Sequence, residues 1–295
     1  MENSGQHWIT KSYLEAWTDP NTPPNHENYL WLIDRDGATQ KNKAPKKVFK
    51  QSDFYTMISD NGSRDLSLEK KLSEIESGFI SLRRHKLDSM QDLTLEDRSK
   101  IIIFVSTMLH RTKSRRDCEQ ARWGYALELM DDLAERIREN PSYTPLPRLD
   151  SADPNTRISH EDIRKTAKEP IQSILIPAAH VTAEILAKMD MHIVCAPEGF
   201  SFITSDNPGV IFDPLLSGEY HALGCPSIEV TLPISPKQLI IFFWGDRSRS
   251  PEYAYTKVDG DCVCEFNRRT RHFCDEYFVS NDKSKWDFNP QPPNG

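Results

Sequence analysis

Leu68, Leu72, Ile75, Phe79 and Leu82 recur at i, i+4, i+7, i+11 and i+14, one apolar face of a helix whose opposite face is charged, and they predict an α-helix over residues 67–87. Thr94, with Asp97 three residues on, has the form of an N-cap and opens the longest helical stretch, over 95–138, with Gly124 as its candidate break. Within it, residues 101–105 (IIIFV) are apolar on every side and are expected at the buried centre of a helical layer. A further helix is predicted over 170–189. The period then shortens: residues 192–196, 199–204, 228–232, 238–244 and 276–280 are short apolar runs bounded by Gly, Pro, Asn and Asp, the pattern of four or five strands in an antiparallel or mixed sheet.

The N-terminal elements are shorter. Residues 7–17 place Trp8, Ile9, Tyr13, Leu14 and Trp17 near helical spacing. Residues 29–33 read as a strand turning at Asp36-Gly37, with a second strand expected over 48–57. The predicted class is α+β, a helical layer packed on a mainly antiparallel sheet from the C-terminal third. By region, residues 1–140 form an N-terminal hairpin and helical region, and 141–160, with four prolines, a linker or long loop. Residues 161–288 form a helix and β-sheet region sharing one core with the first, and 289–295 a tail.

Composition narrows the function classes. At 295 residues the chain suits one large domain or two small ones. The balance of 37 basic and 44 acidic residues, net −7, excludes whole-surface attraction to nucleic acid or anionic membrane, so any phosphate binding must be local. No run approaches the ~20 apolar residues of a bilayer span, and a polar start without an export signal predicts a cytoplasmic protein. The six cysteines are then expected as reduced thiols, with Cys262 and Cys264 alternating on one strand face. Cys-x-x-Cys, Gly-rich phosphate-loop and Gly-x-Ser-x-Gly motifs do not occur, which disfavours zinc fingers, P-loop NTPases and the usual hydrolase nucleophile elbow.

Four sets of side chains can carry chemistry. His7, with Tyr13 six residues on, offers a base, proton donor or metal ligand near neutral pH, or else a histidine that caps or packs a terminal helix. Asp206-Asn207, at the end of a strand and before Pro208, can bind a metal, orient a histidine, or simply close a turn on its own backbone. Two basic clusters, His110 to Arg116 and Asn267 to His272, suit a local anion site or a solvated face; Arg111 is singled out because it follows a buried run. His180 and Glu184 lie one helical turn apart and could share a metal if a third ligand joined them.

In order along the chain stand His7-x5-Tyr13-Leu14, Phe54-Tyr55, Leu68-Glu69, Ile75-Glu76, Met108-x-x-Arg111-Thr112, Phe202-Ile-Thr-Ser-Asp-Asn-Pro208, Pro233-Ile-Ser-Pro236 and a late Asn267. This series resembles the bacterial and fungal domain-of-unknown-function family four-two-three-eight over nearly the whole chain, with Thr10 where that family has proline. The resemblance implies shared architecture and recurrent polar positions at His7, Glu69, Glu76, Arg111, Asp206 and Asn207, without roles. Buried charges cost several kcal/mol unless paired, so such residues are expected to converge in an ion network or a polar site.

The function expected is a cytosolic enzyme on a phosphate-bearing substrate, a nuclease or phosphoesterase of a bacterial defence or toxin type assisted by Mg or Mn. In this reading His7, Asp206 and Glu76 are catalytic, with His7 and Asp206 as metal candidates; Arg111, Asn207, Tyr13 and Asn267 bind substrate. The alternatives are a non-catalytic module recognising a small ligand, nucleotide signal or protein, and a subunit of an assembly contacting its partners through Trp8 and Trp17. Nucleic acid and nucleotides are the expected partners, membranes are not, and the oligomeric state is open.

Overall fold

A computed structural model describes residues 5–58, 63–140, 160–215 and 222–283; the expected loop, apart from its last residue, and the expected tail lie outside them. The chain begins with strand β1 (Gln6–His7), helix α1 (Lys11–Leu14) and a 3₁₀ turn (Glu15–Trp17). Strands β2 (Leu30–Asp34), β3 (Gln40–Lys43), β4 (Lys50–Gln51), β5 (Met57–Ile58) and β6 (Arg64–Asp65) lead to helices α2 (Ser67–Leu82), α3 (Leu95–His110) and α4 (Lys113–Glu139). Helices α5 (His160–Lys168) and α6 (Pro170–Leu186) precede strands β7 (Asp190–Cys195), β8 (Thr204–Ser205), β9 (Val210–Phe212), β10 (Glu229–Ser235), β11 (Gln238–Phe243) and β12 (Tyr253–Lys257). Helix α7 (Gly260–Phe273) and strand β13 (Tyr277–Ser280) complete the described elements.

The fold is α+β with antiparallel sheets. Its main core joins the apolar faces of α2 and α3 to that of the β10–β11–β7 strands: Phe79 stacks on Phe104 at 3.8 Å between ring centres, and Met191, Ile193, Val230, Leu232 and Phe242 are fully buried in the same cluster. Each such side chain contributes roughly 1.5–3 kcal/mol by leaving water. Among the described residues no helix is long and apolar enough to cross a membrane.

The strands do not form the one sheet expected. Five lie in the order β12-β7-β11-β10-β9, with only the β12–β7 pair parallel, and four more in the order β3-β2-β13-β8. The last strand therefore pairs with the N-terminal hairpin: Phe278 opposes Ile33 on one side and Ser205 on the other. Within that hairpin the second strand is Gln40–Lys43 and not 48–57; as an exposed sheet edge it carries polar residues and lysines, so it has no apolar alternation to read.

Three helix boundaries also differ from expectation. The 95–138 stretch breaks at Arg111, where Thr112 accepts a hydrogen bond from the Arg115 N–H at 3.4 Å and caps a new helix; Gly124 lies inside α4 without breaking it. Cys262 and Cys264 sit on α7 and not on a strand, since Val263, Phe266, Asn267 and Thr270 form its buried face and the Asp259 side chain caps it. The N-terminal helix begins after His7, which lies on β1 opposite Lys50. All six cysteines are free.

Candidate functional site

Two cavities meet along residues 6–8 of the N-terminal segment: Gln6 and His7 line one and Trp8 the other.

The first cavity, about 190 Å³, gathers Gln6, His7, Tyr55, Glu69, Glu76 and Arg111. The break between α3 and α4 turns Arg111 inward, 2% exposed. Its Nε donates to the Tyr55 hydroxyl at 3.0 Å, Nη1 to Glu76 Oε1 at 2.5 Å and Nη2 to the His7 carbonyl at 2.9 Å. Burial opposes the charge, but Tyr55 and Glu76 outweigh it and hold the Arg111 pKa above its ordinary value. Burial likewise pushes the Tyr55 phenol up to about 12. Gln6 continues the network: its Nε2 donates to Thr56 Oγ1 at 2.9 Å and to Glu69 Oε2 at 2.7 Å, and its Oε1 accepts from the Tyr55 N–H at 2.6 Å. Burial lowers the His7 pKa, against the Val48 carbonyl, which raises it, and the buried Nδ1 has no hydrogen-bond partner.

The second cavity, about 310 Å³, lies beside the β2–β3 edge. Lys41 and Lys43, two apart on β3, share a face, and Lys41 pairs with Leu32, which lines the same space. Lys47, on a 3₁₀ turn (Pro45–Lys47), and Lys113, on α4, reach the cavity from two other elements, and Trp8, Phe49 and Tyr277 supply aromatic walls. Three acids also line it, each engaged: Glu276 pairs with Lys113 at 3.3 Å, hydrogen bonds from Ser114 stabilise the Asp275 carboxylate, and Asp206 is bound by backbone.

The structure brings His7, Glu69, Glu76 and Arg111 together and places Asp206 apart from them, in the wall of the lysine-rimmed cavity. The Asp206 carboxylate accepts three backbone N–H bonds, from Asp275 at 2.8 Å, Glu276 at 2.8 Å and Tyr277 at 2.9 Å, and so fixes the entry to β13. Burial pushes its pKa up to about 6 against these donors. Asn207 donates to the Phe273 carbonyl at 3.0 Å, and Asn267 brackets residues 201 and 203 with both ends of its amide. Tyr13 is buried, donating to the Pro233 carbonyl at 2.6 Å and meeting Thr204 Oγ1 at 2.6 Å. Trp17 is fully buried and donates to the Phe202 carbonyl at 2.9 Å, so it offers no contact to a partner. His180 and Glu184 form an exposed pair at 3.3 Å; among the described residues no group of three or more His, Cys, Asp or Glu side chains is arranged to hold a metal ion.

Beside this site, burial pushes the His110 imidazole down to about 4, where it meets Thr182 Oγ1 at 2.8 Å. A folded pKa below the unfolded value of about 6.5 contributes stability that is present above pH ~6.5 and lost as pH falls towards 4. Wild-type stability should carry a His110 penalty of about 2 kcal/mol between pH 7 and pH 5. Denaturant midpoints of His110→Gln should depend less steeply on pH by that amount; superimposable pH profiles would remove His110 from the account.

Gln6, Thr56 and the lysines at 41, 43 and 47 are not singled out by the sequence. The lysines had one signal, the i, i+2 spacing of 41 and 43, but recognising it required knowing that a strand lay there.

One family model, described as a protein of unknown function (DUF4238), matches residues 5–284. No curated protein and no solved structure matches the chain.

Proposed function

The chain belongs to the DUF4238 family, which carries no assigned activity, and from that premise together with the second cavity we propose that it binds a phosphate-bearing ligand, a nucleotide or a nucleic-acid end. The observation that carries this reading is the convergence of four lysines from three elements on an aromatic-walled space of about 310 Å³ in a protein of net charge −7. Protecting a sheet edge accounts for Lys41 and Lys43 and the Glu276 pair for Lys113, but neither accounts for Lys47. Lysine ammonium groups suit phosphate oxygens, and Trp8 or Phe49 offers a face on which a base can stack. The polar network around Arg111 then holds the wall that presents Trp8. With free thiols, a cytoplasmic setting suits this reading.

Titration of ATP followed by tryptophan fluorescence tests it. Wild type should bind, and weaken as salt rises; a variant carrying Lys41→Gln, Lys43→Gln and Lys47→Gln should lose at least about tenfold in affinity while keeping its melting temperature. Equal affinity in the two proteins would remove the cavity from the account.

A second reading, hydrolysis of the bound phosphoester in a nuclease or phosphoesterase of the defence or toxin type, is favoured by one observation: Asp206, with its pKa near 6, lies in the same cavity wall. Labelled tRNA, single-stranded DNA and duplex DNA, incubated with and without Mg²⁺ or Mn²⁺, should then be cleaved with a rate that changes through pH ~6. Intact substrates under every condition leave the binding reading alone.

A further inference from the structure

Residues 41–50 (KNKAPKKVFK) hold five lysines and no acid, in a chain of net charge −7. Ala44, Pro45, Val48 and Phe49 are buried in two pairs, which turns all five lysines outward. Lys46 is taken by Glu27. Among the described residues no carboxylate forms an ion pair with Lys41, Lys43, Lys47 or Lys50.

Three of these four line the cavity of about 310 Å³, and Lys50 stands outside it. Lys41 and Lys43 share a face of β3 at a separation of roughly 7 Å, two residues at ~3.4 Å each, close to the phosphate repeat of an extended single strand. The chain then turns at Phe49, which is 7% exposed and lines the cavity at φ 52°, in the left-handed region that a side chain disfavours. Backbone strain of this kind collects at ligand sites. The Trp8 N–H holds the turn by donating to the Phe49 carbonyl at 3.0 Å. It delivers Lys50 onto β4 opposite His7, with the aliphatic stem over Gly5 on the lining of the first cavity. Arg116, paired with Asp117, reaches the same strand by donating to Gln51 Oε1 at 3.1 Å. A cationic path therefore continues out of the second cavity across residues 6–8, where the two cavities meet.

The cavity sits at the low end of small-molecule sites, roughly 300–1,000 Å³, and houses one nucleotide unit. A free nucleotide leaves Lys50 unused, whereas a chain does not. The aromatic walls accept a base only where it is unpaired, and sequence-tolerant single-strand sites join such walls to a cationic path that tracks the backbone. We propose that the site takes one unit of a single-stranded nucleic acid, DNA or RNA, whose next phosphates run across residues 6–8 to Lys50. This rests on the phosphate-ligand reading of the cavity and narrows it to a polymer.

Competition against a fluorescein-labelled single strand, read by anisotropy, tests it with thymidine and uridine monophosphates, tetrathymidylate, tetrauridylate and a blunt duplex. The better of the two tetranucleotides should bind at least about tenfold more tightly than its own mononucleotide, beyond the about fourfold that four equivalent units give by statistics alone. Lys50→Gln, at an exposed position, should keep the melting temperature and the mononucleotide affinity, weaken the tetranucleotide at least about threefold, and lower the slope of log affinity against log salt by about 0.7. Mononucleotide binding with no gain in the tetranucleotide would overturn the polymer and leave the nucleotide reading standing; no binding of any probe would overturn both. A duplex bound as tightly as the tetranucleotide, or equal weakening of mononucleotide and tetranucleotide by Lys50→Gln, would also overturn the proposal.

Discussion

Replacing Arg111 by methionine should destabilise the protein by about 3–5 kcal/mol, enough to unfold it where the starting margin is ordinary. The side chain is 2% exposed and holds three separate parts of the chain: Glu76 on α2, Tyr55 in the segment before it, and the His7 carbonyl on β1. Removing the guanidinium leaves a carboxylate, a hydroxyl and a carbonyl without their donor, and an unanswered buried charge costs more than the lost bond itself. Denaturant titration checks the value. A double-mutant cycle checks the cause: Arg111→Met on a Glu76→Gln background should cost markedly less than on wild type, because the charge it would strand is already gone. Additive costs would mean the pair does not act as one. Each of its three nitrogens already serves a protein acceptor.

Asp206→Ala carries the second large effect, about 3 kcal/mol or more lost from stability. Three consecutive backbone N–H groups, at residues 275–277, aim at this one carboxylate, and alanine leaves all three without an acceptor where β13 begins. Thermal unfolding should shift down by about 10 °C. Asn207 and Asn267, bonded to carbonyls and amides of the same region, serve the same junction between α7 and the four-stranded sheet. A variant as stable as wild type would show that these N–H groups find other partners and would move Asp206 from support to chemistry.

The two predictions explain why motif and role separate in this chain. The helical layer was legible because α2 and α3 bury one face each, and the period of Leu68, Leu72 and Phe79 reports that burial directly. The break at Arg111 was not, since the apolar run before it and the charged run after it both read as helix, and only the inward turn of the arginine requires the interruption. The β3 edge was illegible for the opposite reason: an edge facing water has no buried face to pattern. Polar residues quoted from the sequence proved to share one environment in the case of His7, Glu76 and Arg111, while Asp206 belongs to another, and spacing along the chain carries no information on which cavity a side chain enters.

Photo-crosslinking with 8-azido-ATP, followed by peptide mapping, tests the central claim most directly. The account predicts label on the peptides carrying Trp8, Lys41 to Phe49 and Lys113, competed away by unlabelled ATP and reduced as salt rises. Label that ATP does not displace, or displaceable label confined to peptides outside that cavity, would contradict it.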